Sequence, residues 1–299
     1  MWHTILGHDE LAQRFRRAVR AGRLASTYLF VGPHGVGKRT FAKALAQALL
    51  CGENPEEQLE ACGKCPSCRQ VASGNHPDLL QLGLPPNKSK LPIELFVGDR
   101  EHRHQNGLCH HLSLRPALGG RRIAIIDDAD HLSQESANCL LKTLEEPPPH
   151  SLLILIGTTA ARQLPTIRSR SQLVRFRPLP VDILEQLIRE EGICEEKSAR
   201  RLAESCDGSL QTARDLADPG FWEFQQQLDA LLNQQQIDSQ QLAASVLAFV
   251  EGAGKEAALR RGRLRLALAA AARFFRDRMC DRLDSRLADR VDCCLRALE

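Results

Sequence analysis

The sequence predicts an α/β protein with a mostly parallel sheet and helices on both faces, followed by an all-helical C-terminal part. Apolar strand-like runs alternate with helical patterns up to about residue 177. A strand, a glycine-rich loop and a helix follow one another near the N-terminus, and past Pro178 only helical periodicity remains. At 299 residues and 43% hydrophobic content, the chain is long enough for two or three domains.

The glycine-rich loop is the first candidate site. It runs from Gly32 to Lys38, between a short buried strand at Tyr28–Val31 and a helix predicted at Thr40–Leu50. This setting makes G-x-x-x-x-G-K a credible phosphate cradle, because glycines let backbone N–H groups turn towards an anion while the lysine reaches the outer phosphates. The helix N-terminus adds partial positive charge. The alternative is a plain glycine-rich turn.

The loop departs from its usual pattern directly after Lys38. Arg39 stands where a Ser or Thr hydroxyl normally holds Mg²⁺, and Thr40 comes one residue late. One residue on a helix is a rotation of roughly 100°, so Thr40 cannot simply replace the missing hydroxyl. The sequence therefore predicts phosphate binding without efficient hydrolysis.

A cysteine cluster follows this unit with the spacing C-x10-C-x2-C-x2-C. Its members are Cys51, Cys62, Cys65 and Cys68, with Gly63 and Pro66 placed to form a tight turn. Four thiolates complete a closed tetrahedron, so the predicted zinc ion is structural rather than catalytic. The alternative, a redox-active or incidental set, lacks the βαβ setting that a C-x-x-C redox pair requires.

Composition narrows the class of protein further. The eleven cysteines and the absence of a secretory segment predict a reducing, cytoplasmic environment. No stretch approaches the length of a membrane span. A net charge of only +3 predicts that any DNA contact is local or made through a complex.

The remaining elements of the α/β part follow in order. A helix is predicted at Asp9–Arg20 and a short apolar run at Leu79–Leu82, followed by a loop at Pro85–Lys90. The segment 98–112 is polar and rich in histidine. Its residues of interest are His102, His104, His110 and His111, beside Cys109. Their irregular spacing favours a solvated helix or loop face over a second metal site.

The acidic end of the next strand is the second half of the candidate nucleotide site. A buried strand at Ile123–Ile126 ends in Asp127-Asp128-Ala129-Asp130. Carboxylates at the C-terminal end of a parallel strand lie where Mg²⁺ and nucleotide bind in such sheets, and Asp127 is the natural metal-holding acid. A helix then starts at Ser133 and stops before Pro147.

Two more strands and a helical tail complete the pattern. The strands are predicted at Leu152–Ile156, ending in Gly157-Thr158-Thr159, and at Leu173–Phe176. Three short helices follow, at Val181–Gly192, Glu196–Ser205 and Ser209–Ala217, and Asp218–Gly220 is predicted to be a linker. The arginine-rich segment Leu259–Arg290 favours a solvated amphipathic face over a nucleic-acid patch or a subunit contact.

Together these segments resemble the AAA+ clamp-loader subunits of bacterial DNA polymerase III, over about residues 3–217. The most characteristic run is Leu140–Pro148, which reads LLKTLEEPP, and Leu164–Arg170 adds to it. The resemblance implies an AAA+ domain at 1–177 with the zinc module at 51–68, a helical lid at 178–218 and a helical collar at 219–299 that is expected to be either truncated or unusually short. It also implies a five-subunit ring with gamma/tau and delta subunits, which places a sliding clamp on primed DNA and has no membrane contact.

Two branches of this family compete, the gamma/tau motor subunit and the delta-prime subunit, and three departures favour delta-prime. Arg39 replaces the hydroxyl after the loop lysine. Asp128 replaces a glutamate that positions the attacking water, and its carboxylate falls about 1.5 Å short. Gln211 replaces an arginine that would touch the phosphates after Gly208-Ser209-Leu210.

The resemblance also assigns candidate site residues. Those for nucleotide binding are Gly32, Gly35, Gly37, Lys38, Arg39, Thr40, Asp127, Asp128, Thr158 and Thr159, with ATP and Mg²⁺ as candidate ligands. Arg170 matches the family's arginine finger, which stabilises charge on a neighbour's transferring phosphoryl group, typically by 10³–10⁵ in rate. The predicted function is a delta-prime-type subunit that donates this finger in trans and has weak or no ATPase of its own. The alternative for Arg170 is a surface salt bridge.

Two rival functions stay open at this point. One is an active gamma/tau-type ATPase that accommodates Mg²⁺ around Arg39 or Thr40. The other is a zinc-ribbon module that binds DNA directly. The acidic surroundings of the cysteines argue against DNA binding, since they repel phosphate; they comprise Glu53, Glu56, Glu57 and Glu60.

Overall fold

The structure is a computed structural model of the chain. It describes residues 5–85, 88–99, 101, 105–118, 120–234, 237–254, 256–281, 290–291 and 293–294. These residues form two compact units. The first comprises the described residues up to Leu184 together with Asp207–Leu210, and the second comprises Glu185–Cys206 and the described residues from Gln211 onwards. The predicted division of the helical part into lid and collar at residue 218 stays a prediction.

The first unit alternates strands and helices as the sequence predicts. Its strands are β1 (Thr27–Val31), β2 (Leu79–Leu82), β3 (Arg122–Ile126), β4 (Ser151–Gly157) and β5 (Gln172–Arg175). Its helices are α1 (Asp9–Arg20), α2 (Lys38–Leu49), α3 (Pro66–Ser73), α4 (Glu94–Val97), α5 (Gly107–Ser113), α6 (Gln134–Glu145) and α7 (Pro165–Ser169). The predicted bounds of α1 and β2 coincide with those observed, and α2 begins two residues earlier than predicted, at the loop lysine.

The five strands form one parallel sheet in the order β2-β3-β4-β1-β5. Every residue of β1, β3 and β4 is buried, which matches their uninterrupted apolar sequences. Val31 pairs with Gly157, and Ile126 pairs with Leu155. The C-terminal ends of β1, β3 and β4 therefore lie side by side. The glycine-rich phosphate loop (residues 32–38), the acidic run at residues 127–130 and Thr158 all follow from this edge.

Side chains on the two faces of the sheet build separate cores. One core contains an aromatic cluster in which Phe30 lies 5.9 Å from both Phe15 and Phe41 and 5.1 Å from Phe176, measured between ring centroids. The other core packs the opposite residues of the same strands, such as Leu29, against α4–α7. This double coverage is the layered arrangement that a parallel sheet requires.

The helices beyond the sheet are α8 (Val181–Glu190), α9 (Ala199–Glu204), α10 (Leu210–Leu216), α11 (Pro219–Leu232), α12 (Ser239–Glu251) and α13 (Ala257–Asp281). The predicted helix Glu196–Ser205 is observed as a 3-10 turn followed by α9. The predicted helix Leu259–Arg290 is observed as α13, while residues 282–289 and the chain end at Leu298-Glu299 lie outside the described residues. In the described part of the chain, no helix is long and apolar enough to cross a membrane.

The predicted linker Asp218–Gly220 is wrong. Asp218 caps α11 by accepting the Gly220 N–H at 2.9 Å, and Pro219 is the first helical residue. The Arg263 guanidinium of α13 donates two hydrogen bonds of 2.9 Å each to the Asp218 carboxylate. Aspartate before proline is also a helix-start signal, because proline lacks only an N–H that the first turn cannot use. Here that signal outweighs the turn tendency of proline and glycine.

Candidate nucleotide and metal sites

The phosphate loop leads from β1 into α2, with its lysine already in place. Lys38 Nζ donates to the carbonyl oxygens of Gly32 and Pro33 at 2.6 Å each. The side chain is buried, and burial lowers the pKa of Lys38, while the carboxylates of Asp127, Asp130 and Asp128 act in the opposite direction. The ammonium is thus fixed inside the loop and faces the acidic edge of the sheet.

Two glycines of the loop are required by the backbone around them. A Cβ atom on Gly32 would lie 2.4 Å from the Phe176 carbonyl oxygen, which is closer than real contacts allow. Gly37, the residue before α2, has φ 94°, a conformation that side-chain-bearing residues rarely adopt. The Gly32 N–H donates to the Thr158 carbonyl at 2.9 Å and ties the loop to the end of β4. Chain conformation alone therefore explains part of the glycine pattern.

Arg39 pairs with the first aspartate of the acidic strand end. Its Nε lies 3.4 Å from Asp127 Oδ2, and its side chain is 62% exposed against 20% for Asp127. Thr40, the next residue of α2, is exposed. The predicted departure from the loop pattern thus has a structural counterpart, since a guanidinium occupies the place beside Asp127 where the usual motif supplies a hydroxyl.

The two adjacent aspartates have different surroundings. Burial and then the neighbouring Asp128 carboxylate raise the pKa of Asp127 above its usual range, while Arg39, the Asp128 amide and Lys38 pull it down. Asp128 has φ 55° and accepts the Leu84 N–H at 3.3 Å. The Asp128 carboxylate is therefore turned to the backbone that follows β2.

Asp130 organises the site, although its role was not singled out from the sequence. One carboxylate oxygen accepts the Thr158 N–H at 2.8 Å and the Thr158 hydroxyl at 2.6 Å. The other oxygen accepts a hydrogen bond from the Gln163 side chain. Asp130 thus joins the ends of β3 and β4. Its place in the run DDAD was the available signal, whereas Gln163 lies in no motif. Thr159 is exposed, and its hydroxyl accepts the Arg162 N–H at 3.3 Å, which closes a local turn.

A buried histidine supports the loop from the N-terminal side. His8 Nε2 lies 2.6 Å from the Val36 carbonyl oxygen, and the ring packs edge-on against Phe176 at 4.9 Å. Burial lowers the pKa of His8, opposed by the Val36 carbonyl and Asp9. This contact was also missed by sequence reasoning, because nothing in the local pattern relates residue 8 to residue 36.

Two further residues that the sequence associated with catalysis are exposed or locally bonded. Arg170, the C-cap of α7, forms a 2.7 Å ion pair with Glu145 at the end of α6. The Leu210 N–H donates to the Gly35 carbonyl at 3.1 Å, so the Gly208–Leu210 segment touches the phosphate loop. Gln211 donates to Asp215 at 2.9 Å within its own helix.

The four predicted zinc ligands converge. The sulfur atoms of Cys51, Cys62, Cys65 and Cys68 all lie within 4.8 Å of one another, and the Cys62 and Cys68 sulfurs are 3.9 Å apart. Zinc–sulfur bonds of about 2.3 Å require sulfur–sulfur edges of about 3.8 Å in a tetrahedron. Among the described residues, these four cysteines are the one group of three or more histidine, cysteine, aspartate or glutamate side chains that could hold a metal ion.

Backbone amides favour the thiolate of Cys51, whereas burial raises the pKa of Cys68. Cys51 Sγ accepts the N–H groups of Asn54 at 3.4 Å and Cys62 at 3.5 Å. Burial raises the pKa of Cys51, but these donors, with those of Glu53 and the Cys62 side chain, outweigh it and lower the pKa to about 6. Cys62 Sγ in turn accepts from Lys64 and Cys65. Thiolates held by N–H donors are what a closed metal site requires.

Salt bridges attach the cysteine module to its surroundings and change its predicted charge. Glu60 pairs with Arg16 of α1 at 3.2 Å, and Glu56 pairs with Arg121 at 2.8 Å. Two of the four glutamates that were expected to repel phosphate are therefore neutralised by arginines. The module is thereby joined to α1 and to the residue before β3.

The histidine-rich segment forms no metal site in its described part. His110 and His111 lie on α5, while His102 and His104 lie outside the described residues. His111 Nδ1 lies 3.1 Å from Arg122 Nη1, and Arg122 also pairs with the buried Asp78 at 3.6 Å. Burial and the Arg122 charge lower the pKa of His111 to about 4. His111 thus belongs to a buried polar network instead of the solvated face that the sequence favoured.

The parallel sheet and the phosphate loop define the class of protein. It is a P-loop-type α/β domain that carries a four-cysteine module. Comparison with known proteins gives the family. A family profile described as "DNA polymerase III, delta subunit" matches residues 7–180. The chain belongs to this family of DNA polymerase III clamp-loader subunits.

Individual relatives come from both branches of the family. The chain is 32% identical to the DNA polymerase III subunit tau of Escherichia coli, over 84% of this chain and 38% of the relative. It is 34% identical to subunit delta' of Pseudomonas aeruginosa, over 75% of this chain and 65% of the relative. The chain thus spans just over a third of that tau subunit and just under two thirds of that delta' subunit.

One solved structure extends over nearly the whole chain. It is a DNA polymerase III gamma subunit-related protein from Thermotoga maritima, with 18% identity, a TM-score of 0.42, and coverage of 97% of this chain and 77% of that chain. The parallel five-stranded sheet itself defines the α/β fold class.

Proposed function

We propose that this chain acts as a delta-prime-type subunit of a clamp loader, a member of a ring that opens a sliding clamp and places it on primed DNA. In this proposal the chain hydrolyses little or no ATP and supplies Arg170 to the nucleotide of a neighbouring subunit. Its partners are gamma/tau and delta subunits, and through them the clamp and the primer–template. The site of action is the cytoplasm.

The observation that carries the proposal is the Arg39–Asp127 ion pair at 3.4 Å. A hydrolytic P-loop site uses a hydroxyl and an acid at these two places to hold Mg²⁺. A guanidinium at the first place supplies no oxygen ligand and competes for the acid at the second. The Asp128 carboxylate, bonded to the Leu84 amide, is likewise drawn away from positioning a water.

Arg170 has the exposure that a trans-acting finger requires. It lies at the C-terminus of α7, and its side chain is 36% exposed while that of its partner Glu145 is 51% exposed. Exposed ion pairs contribute only about 0–1 kcal/mol, so a stronger anion such as a nucleotide phosphate could replace Glu145 at little cost. The same pair fits the alternative that Arg170 is a surface salt-bridge residue, which makes an experiment on Arg170 decisive.

The test compares ATPase rates of the chain alone and of a reconstituted clamp-loader complex. Arg170→Ala in this chain should lower the clamp-stimulated rate of the complex, with the affected site losing on the order of 10³-fold. Arg168→Ala, at an exposed arginine two residues before Arg170, is the matched control and should leave the rate unchanged. An unchanged rate with Arg170→Ala would assign Arg170 to the salt bridge alone.

A second candidate function is an active gamma/tau-type ATPase. Its support is the identity to tau, 32%, which is close to the 34% identity to delta'. Brisk Mg²⁺-dependent turnover by the isolated chain, abolished by Lys38→Ala, would favour this function. Turnover at background level in the isolated chain would reject it.

The cysteine module is proposed to hold one structural zinc ion. The zinc-ribbon alternative, direct DNA binding by this module, keeps some support because Glu56 and Glu60 are neutralised by Arg121 and Arg16. Salt-dependent DNA binding by the full chain that is lost on zinc removal would favour that alternative.

A further inference from the structure

The residues at the metal end of the phosphate loop do not fit a magnesium ion. Mg²⁺ demands oxygen ligands at about 2.0–2.1 Å in near-octahedral geometry. The residue after Lys38 offers a guanidinium instead of a hydroxyl, and its Nε lies 3.4 Å from Asp127 Oδ2, where the ion would take its acidic ligand. A guanidinium has no acceptor atom, and its charge repels a cation.

The anion-binding half of the same loop is complete. Lys38 is held in place by two loop carbonyls, and α2 begins at Lys38 with the turn at Gly37 directly before it. The unpaired N–H groups of a helix start and the lysine ammonium both attract phosphate. In a hydrolytic loop the lysine is accompanied by Mg²⁺. Here the second positive charge is the Arg39 guanidinium.

We propose that this loop binds the phosphates of a nucleoside triphosphate without Mg²⁺, with the Arg39 guanidinium standing in place of the metal ion. Asp127 holds Arg39 as it would hold the metal. The contact engages Nε, and a guanidinium carries five N–H donors, which leaves donors for phosphate oxygens. This inference rests on the proposed function only for the class of ligand, a nucleotide.

The arrangement also explains how binding and turnover separate. A guanidinium neutralises phosphate charge and forms charge-assisted hydrogen bonds, which supports affinity. It does not act as the divalent Lewis acid that bridges the β- and γ-phosphates during transfer. The bound nucleotide would then be a lasting structural ligand of this chain.

The experiment measures binding of a fluorescent N-methylanthraniloyl derivative of ATP to the full chain, in Mg²⁺ and in EDTA. The wild-type dissociation constant should differ by less than about threefold between the two buffers, because the guanidinium needs no metal. Arg39→Thr removes a charge-assisted contact and supplies a hydroxyl. Its affinity in EDTA should fall by about ten- to hundredfold, and Mg²⁺ should restore part of it.

Two control variants show whether binding depends on the phosphate loop and on Arg39 in particular. Arg14→Thr, which removes an exposed arginine of α1, should leave both constants unchanged and so excludes a general effect of charge. Lys38→Ala should abolish binding in both buffers. Thermal unfolding of each variant without nucleotide shows that the protein is folded, and nucleotide in EDTA should raise the Tm of wild type but not of Arg39→Thr.

Either of two results would overturn the inference: wild-type binding that disappears in EDTA, or no binding in either buffer. Neither result bears on the proposal that Arg170 acts on the nucleotide of a neighbouring subunit. That proposal requires no nucleotide in this chain and is tested in the complex. Conversely, a failure of Arg170→Ala to change the rate of the complex leaves the measured metal dependence unaffected.

Discussion

Arg170 Nη2 and Glu145 Oε1 lie 2.7 Å apart and join the end of α7 to the last residue of α6. Both side chains are substantially exposed. The ion pair is thus accessible to solvent and to salt, and it contributes little to the folded state. The ion pair orients the Arg170 side chain, but it is weak enough for another anion to replace Glu145.

We expect Glu145→Gln and Arg170→Ala each to change the free energy of unfolding by less than about 1 kcal/mol, measured by urea denaturation. In a reconstituted complex, Glu145→Gln should preserve the ATPase rate while Arg170→Ala lowers it, because only the arginine would act on nucleotide. Equal losses of rate in the two variants would mean that the ion pair itself supports activity.

The link between Asp130 and Thr158 should be important for stability. Thr158→Val keeps the shape of the side chain but removes the hydroxyl that donates to Asp130 at 2.6 Å. We expect a loss of about 1.5–3 kcal/mol in unfolding free energy, since the acceptor is a carboxylate. Thr159→Val, at the exposed neighbouring position, should cost less than about 0.5 kcal/mol. Similar losses at both positions would contradict the role assigned to Asp130.

The cysteine module should contain zinc and depend on it. Elemental analysis of the purified chain should find about one zinc ion per molecule, and Cys65→Ser should lower both the zinc content and the Tm. A loss of roughly 2–4 kcal/mol corresponds to a decrease of about 5–10 °C for a domain of this size. Cys194→Ser, at a partly exposed cysteine outside the cluster, is the matched control. Full zinc content in Cys65→Ser would reject the four-sulfur site.

The buried network around Arg122 should make the protein sensitive to acid through His111. The pKa of His111 is lowered to about 4 in the folded chain, against about 6.5 for the unfolded chain, because burial and Arg122 disfavour its charge. Stability is then fully present above about pH 6.5 and is lost as the pH falls towards 4. Allowing for its partial exposure, we expect His111 to contribute roughly 1 kcal/mol to the decrease in unfolding free energy between pH 7 and pH 5.

The variant His111→Gln should flatten this pH dependence, as followed by urea denaturation at several pH values. His131→Gln, at an exposed histidine whose ring contacts the Ser89 carbonyl at 3.0 Å, is the control and should leave the dependence unchanged. An unaltered profile in His111→Gln would mean that other buried groups, His8 among them, account for the acid sensitivity.

Local pattern was enough to predict most of the α/β unit. The buried strands are continuous apolar runs, and the amphipathic period of α1 fixes its face and its bounds. The placement of the phosphate loop, Asp127 and Thr158 at one edge of the sheet followed from the parallel sheet that the alternation predicted, although the order of its strands was not predicted. The cysteine spacing likewise predicted the metal cluster.

What escaped prediction depends on contacts between distant residues. Arg39 and Asp127 are eighty-eight positions apart in the sequence. Local sequence patterns identified each residue as a candidate site residue, but they could not predict that the two side chains form an ion pair. The bonds of Asp130 and the His8–Val36 contact are of the same kind. The start of α11 was missed for another reason, since Asp-Pro-Gly satisfies both a turn and a helix cap, and the Arg263 fork on Asp218 stabilises the capped form.

Helix α2 carries the phosphate loop lysine at its first position and delivers Cys51 two residues after its last. Its twelve residues span about 18 Å. Adding or deleting one residue within it would rotate everything beyond by about 100° and draw Cys51 away from the other sulfurs. Chain-length variation should therefore be forbidden between residues 38 and 51. An alignment of relatives should place its gaps accordingly.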